Sequence, residues 1–197
     1  GMRKQYTHSW YQEIRRKLLH ILIACVPIFS SLVYHTTLMV LFVLSSIYVI
    51  SECLRLNGYS FPMFGGITRS SIRKEEERGF AFGAVTLVLG AILSILLFPE
   101  AIASTVIWIV AFADTAATIV GRNLGNHRIP YNKKKSIEGS ISALIVAFFC
   151  GYIYLPLFPA LLAAFFSSII ESLPIRALDN LLMPIGTGTL LLCLGYS

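Results

Sequence analysis

Ala101-Ile-Ala-Ser-Thr-Val-Ile-Trp-Ile-Val-Ala-Phe-Ala-Asp114-Thr-Ala-Ala-Thr-Ile-Val120 is the stretch whose reading decides the fold class. It is as long as a membrane-spanning helix, which needs about 20 predominantly apolar residues, and Asp114 is its single charge. The segment Gly121-Arg-Asn-Leu-Gly-Asn-His-Arg128 follows at once, as expected where a span meets the headgroups. An ionised carboxylate inside hydrocarbon is expensive, so Asp114 predicts a polar cavity or a cationic partner rather than a lipid-facing position. Small residues beside it (Ala111, Ala117, Thr118, Gly121) also suit close helix–helix contact.

Outward from this run the pattern repeats. Further apolar runs cover Leu18–Tyr34, Thr37–Leu54, Gly79–Phe98, Gly139–Leu155, Leu157–Glu171 and about Leu181–Leu194. They predict an all-α, polytopic integral membrane protein with about seven transmembrane helices, forming one catalytic domain over residues 2–197. Gly1 ahead of Met2 reads as a scar of tag removal, and no small-residue cleavage site follows the first apolar run, unlike a signal peptide. Charged residues make up 13% of the chain and hydrophobic ones 56%, with mean hydropathy +0.74. A soluble domain carries about 25% charged residues, so this chain lacks the polar surface to cover one water-facing core. Cys25, Cys53, Cys150 and Cys193 lie far apart with no CxxC pair, which excludes a thiolate metal site of the usual spacing.

The basic residues give an orientation. All 16 Lys and Arg fall in the N-terminal tail, the segments after the second and fourth runs, or the link after the sixth. The alternate connections, near His35, Glu100 and Pro156, hold none. The positive-inside rule then puts the N-terminus and the three polar segments in the cytoplasm. The net charge of +6 is explained by anionic membrane lipids, without nucleic acid as a partner.

Residues able to carry chemistry gather on that predicted face. Arg16-Lys17-Leu-Leu-His20 leads into the first run; basic residues there suit headgroup anchoring, whereas a histidine one turn into the apolar stretch does not. Glu52 and Arg55, at i and i+3, close the second run as a candidate local ion pair. Lys133-Lys134-Lys135-Ser136-Ile-Glu138-Gly139-Ser140 stands at the mouth of the fifth run, and Glu171-Ser-Leu-Pro…Asp179-Asn180 links the sixth to the seventh. No Walker A or GxGxxG spacing is present. The carboxylates Asp114, Glu138, Glu171 and Asp179, with lysines and arginines beside them, are the components of a Mg²⁺–nucleotide site.

In their order and spacing these segments resemble the CTP-dependent lipid-alcohol kinases, a family that includes dolichol (polyprenol) kinase, phytol kinase and the yeast-type diacylglycerol kinase and is related to the phosphatidate cytidylyltransferases. The resemblance runs over about residues 14–190 and rests chiefly on Asp114-Thr-Ala-Ala-Thr-Ile-Val-Gly-Arg-Asn-Leu-Gly125 and Lys135-Ser-Ile-Glu-Gly-Ser140, with Arg16, Lys17, His20, Glu52 and Arg55 as weaker elements. It implies transfer of the γ-phosphoryl group of CTP to a membrane lipid hydroxyl with Mg²⁺. Asp114, Glu138 and Asp179 would be catalytic, and Asp114, Glu138 and Glu171 would take the metal. Gly121, Arg122, Gly125, Lys134, Lys135, Ser136, Gly139 and Asn180 would bind the nucleotide. The chain lacks the Asp-Arg-x-Asp ending typical of the cytidylyltransferases and has only Asp179-Asn180 there. A CDP-lipid-forming transferase is therefore the alternative within the class. A small ion or lipid transporter is the alternative outside it, with Asp114 in an ion path.

Overall fold

A computed structural model describes residues 2–59, 80–175 and 178–196, with side chains in the first helix described from Glu13 onward. The expected polar segment around Ser-Ile-Arg-Lys-Glu-Glu-Glu-Arg (71–78), the start of the third run and Arg176 lie outside the described residues. Each apolar run forms helix: α1 (Met2–Ile23), α2 (Val26–Leu32), α3 (Tyr34–Leu56), α4 (Phe82–Leu97), α5 (Glu100–Asn123), α6 (Ile137–Tyr152), α7 (Leu157–Ser172) and α8 (Asp179–Cys193). The described residues are all-α apart from one short hairpin of strands β1 (Arg128–Ile129) and β2 (Asn132–Ser136).

The first run is two helices. Proline clashes with the carbonyl four residues before it and has no N–H to offer. Pro27 therefore ends α1 at Ile23 and opens α2 in its first turn. The carbonyl of Ala24, left at the break, accepts a hydrogen bond of 3.0 Å from Trp108 Nε1 of α5. Pro184, inside α8, likewise frees the carbonyl of Asn180. Gly90 of α4 lets the two helices meet there, because a Cβ on it would lie 2.7 Å from Asn180 O and 3.1 Å from Pro184 Cγ.

The core is built from small and aliphatic residues on α4 to α8, among them Ala91, Ile102, Val106, Ala111, Ala147, Ala160 and Leu191. Small residues at helix contacts let backbones approach closely, as packing in lipid requires. The outer surface is apolar: Leu22, Met39, Phe149, Phe158 and Phe165 are 61–65% exposed. Water would penalise such a girdle, whereas hydrocarbon does not. Among the described residues, α3 and α5 are each long and apolar enough to cross a membrane. α3 is mostly exposed and peripheral, α5 mostly buried and central. These features are those of a membrane protein.

Candidate active site

Asp114 is positioned by a change of helical winding. Residues Ile109–Ala113 of α5 form a π-helical turn, and α-helix resumes at Asp114. A π turn inserts extra chain into the helix and turns the following residues relative to the preceding ones; such turns are frequent at functional sites. The Asp114 carboxylate meets α1, where Lys17 and His20, three residues apart, share the inward face while Leu18, Ile21 and Leu22 stay exposed. Lys17 Nζ donates to Asp114 Oδ2, and His20 Nδ1 lies 3.1 Å from the same oxygen. The side chains of all three are at most 9% exposed. The cation that Asp114 requires is thus supplied by the protein itself, from a residue 97 positions away.

A second cluster lies beside the first. Lys135, on β2, donates to Glu171 Oε1 at 2.9 Å and to the Glu171 carbonyl, and its Nζ is 3.9 Å from Asp179 Oδ2. Ser140 Oγ donates to Glu171 Oε2 at 3.3 Å. Asp114 and Lys17 are close enough to Glu171 for their charges to act on it, so the two clusters form one polar region. The hairpin brings Lys135 there. Its turn is Pro130-Tyr131, and β1 pairs antiparallel with β2. Tyr131 Oη and Ser172 Oγ are 2.8 Å apart, and Asn132 Nδ2 donates to Ser172 O at 3.0 Å. These contacts seat the hairpin on the last turn of α7.

The glycine-rich segment packs upon itself. Ser136 caps α6, accepting a hydrogen bond of 3.1 Å from Gly139 N. A Cβ on Gly139 would lie 2.8 Å from Ala117 O and 3.1 Å from Gly121 Cα. One on Gly125 would collide with the Gly121 carbonyl and with Ser136. Gly121, Gly125 and Gly139 thus let α5, the following turn and α6 touch backbone to backbone. Glu138 has partners of its own: it accepts from the backbone N–H of Asn126 (3.2 Å) and of His127 (3.1 Å), and pairs with His127 Nδ1 at 2.7 Å. Its carboxyl is held down at about 2, first by backbone hydrogen bonding at Glu138 itself and then by His127. It anchors the start of the basic hairpin.

Glu52 is fully buried. Arg55 grips both its oxygens, Nε to Oε2 at 2.9 Å and Nη2 to Oε1 at 2.6 Å, and the Ala81 N–H adds a bond of 2.7 Å. The pair therefore ties α3 to the start of α4. Asn180 Nδ2 donates to Gly83 O at 3.0 Å, which joins α8 to the same end of α4. Arg122, in the last turn of α5, and Lys134, on β2, are exposed. Among the described residues, no three His, Cys, Asp or Glu side chains are grouped as a metal site.

Known proteins are similar to this chain in sequence. The CTP-dependent diacylglycerol kinase 1 of Schizosaccharomyces pombe is 28% identical over 158 residues, covering 71% of this chain and 72% of that protein. The probable phytol kinase 3, chloroplastic, of Glycine max is 30% identical over 199 residues, covering 88% of this chain and 60% of that protein. The phytol kinase 1, chloroplastic, of Arabidopsis thaliana is 26% identical over 196 residues, covering 89% of this chain and 64% of that protein. The chain is thus similar to CTP-dependent diacylglycerol kinases and to phytol kinases. It spans less than two thirds of the two phytol kinases. No family model and no solved structure matches it.

Against this kinase relationship, Asp114, Lys17, His20, Lys135, Glu171 and Asp179 converge. Glu52–Arg55, Glu138 and Asn180 hold the elements around them. Tyr131, Asn132, Ser140 and Ser172 were not singled out from the sequence. The Ile129-Pro-Tyr-Asn132 turn chemistry is the signal that could have revealed a hairpin.

Proposed function

We propose that the protein transfers the γ-phosphoryl group of CTP to the hydroxyl of a membrane lipid alcohol, such as a diacylglycerol, phytol or a polyprenol. The reading is supported by the names of its relatives and carried by one observation: two lysine–carboxylate pairs, Lys17–Asp114 and Lys135–Glu171, lie side by side at the end of the bundle that bears the basic hairpin. Phosphoryl transfer needs positioning and charge neutralisation more than covalent chemistry from the protein, and these groups provide both.

Lys135, with Lys134 and Arg122 on its flank, binds the triphosphate. Lys135 leaves the Glu171 carboxylate for phosphate oxygens when nucleotide arrives, which frees that carboxylate. The donors fit Mg²⁺, which takes one or two carboxylates and fills its shell with water and phosphate oxygens. Glu171 and Asp179, which share Lys135, would hold it, and it would neutralise charge on the transferring group. Lys17 and His20 fix the Asp114 carboxylate at the depth where a lipid hydroxyl is presented. Glu138 holds the hairpin in reach.

The chain acts as a single transmembrane domain with seven crossings, counting α1–α2 as one. Helices of 15–16 residues such as α4, α6, α7 and α8 cross where the bilayer thins around them. The N-terminus and the active site face the cytoplasm. Purified protein incubated with CTP, Mg²⁺ and a panel of lipid alcohols should form a lipid monophosphate, faster with CTP than with ATP. Equal or better turnover with ATP would refute the choice of nucleotide.

A further inference from the structure

Two Glu-x-x-Arg pairs stand among the described residues, Glu13–Arg16 and Glu52–Arg55, and they close differently. In the second, the Nε and Nη2 of Arg55, the side-on edge of the guanidinium, engage both oxygens of Glu52. In the first, Arg16 Nη2 donates to Glu13 Oε1 at 2.5 Å, but Arg16 Nε is buried and has no hydrogen-bond partner among the described residues. A buried donor without an acceptor is destabilising, more so on a charged group. The guanidinium sits next to Lys17 on α1, and its charge reaches Lys17, His20 and Asp114. Lys17 is committed to Asp114 and Lys135 to Glu171, so neither carboxylate stands unpaired to receive Arg16.

We infer that Arg16 binds a phosphate oxyanion through its half-used Nε edge. An oxyanion suits that edge because a phosphate presents several oxygens to a planar fork, and one of them can take Nε–H while Nη2 keeps its glutamate. The inference rests on the kinase reading for the source of the phosphate. The phosphoryl group passes this end of α1 as the γ-phosphate of CTP, and leaves as the phosphate of the lipid product. Arg16 holds it there beside Asp114.

The test is binding, measured on the full chain in phosphatidylcholine nanodiscs with Mg²⁺. The probes are non-hydrolysable β,γ-methylene CTP, CDP, and phosphatidate incorporated in the discs. Arg16→Gln should weaken the triphosphate analogue by about tenfold or more and CDP by less than about twofold, because only the terminal phosphate reaches Arg16. Arg16→Lys keeps the charge but not the edge, and should behave more like Arg16→Gln than like the wild type. Loss for the analogue alone assigns the oxyanion to the nucleotide, and loss for phosphatidate alone assigns it to the lipid. Loss for both supports a group followed through transfer. Unchanged binding of all three probes overturns the assignment, as does an equal loss for all three with a lowered melting temperature, which marks a structural role. Wild-type protein that binds no cytidine nucleotide refutes the kinase reading itself. Wild-type protein that binds it, with both Arg16 variants unaffected, overturns the Arg16 assignment alone.

Discussion

Replacing Asp114 by Asn removes the acceptor charge from a buried pair and leaves Lys17 without its counter-ion. The two side chains are 5% and 9% exposed, so solvent cannot take over the neutralisation. Deleting one partner of such a pair costs about 3–5 kcal/mol. For a chain of this size each kcal/mol is worth about 2–4 °C of melting temperature, so Asp114→Asn should melt about 6–20 °C below the wild type. Lys17→Met combined with Asp114→Asn replaces the pair by neutral groups and should recover most of that loss, because an intact buried pair is itself close to neutral against apolar replacements. Activity should not follow stability. Both variants should lose lipid phosphorylation by about a hundredfold or more, roughly 2.7 kcal/mol of transition-state stabilisation. The assay is a thermal melt in detergent beside turnover with CTP and lipid alcohol at saturating Mg²⁺. If Asp114→Asn melts with the wild type, Asp114 does not neutralise Lys17 as argued. If the double variant regains turnover, Asp114 belongs to the packing and not to the chemistry.

Gly139→Ala should force α5 and α6 apart, because its Cβ would come within 2.8 Å of Ala117 O; overpacking of this kind costs about 1–3 kcal/mol, and an unchanged melting temperature would contradict the close contact. Glu138→Gln should lower the melting temperature at neutral pH. The folded carboxyl titrates at about 2, below its ordinary 4.5, so its contribution is complete above pH 4.5 and is lost as pH falls toward 2. The difference between variant and wild type should shrink over that window, and a difference constant down to pH 2 would refute the anchoring role. A single cysteine placed at Glu100, the first residue of α5, should react with an impermeant reagent only from the side opposite the hairpin, and labelling from the hairpin side would overturn the seven-crossing topology.

The helices were readable because burial in lipid demands long apolar runs and confines Lys and Arg to their ends, so length and charge placement mark each run without tertiary knowledge. Asp114 was readable for the same reason, as a charge where none is tolerated alone. Its partner was not. Lys17 is adjacent to other basic residues in sequence and looks like any headgroup anchor; only the crossing of α1 against α5 brings it to a carboxylate 97 positions on. The π turn at Ile109–Ala113 has no mark in Ile-Val-Ala-Phe-Ala, since the winding is set by what α5 packs against. The triple lysine of β2 read as a basic loop because a strand exposed at Lys133 and Lys134 shows no apolar alternation. Gly121, Gly125 and Gly139 suit a ligand cradle and close helix contact alike in the sequence, since both ask for the absence of a side chain, and the structure shows the contact.

The central claim is that the terminal phosphorus of CTP moves to a lipid hydroxyl. The most direct measurement offers the protein CTP labelled either at the γ or at the α phosphorus, with a lipid alcohol and Mg²⁺, and follows the label into the organic phase. The account predicts lipid-soluble label from γ-labelled CTP only, with CDP left in water. Lipid-soluble label from α-labelled CTP, with release of pyrophosphate, would contradict it and make the protein a cytidylyltransferase.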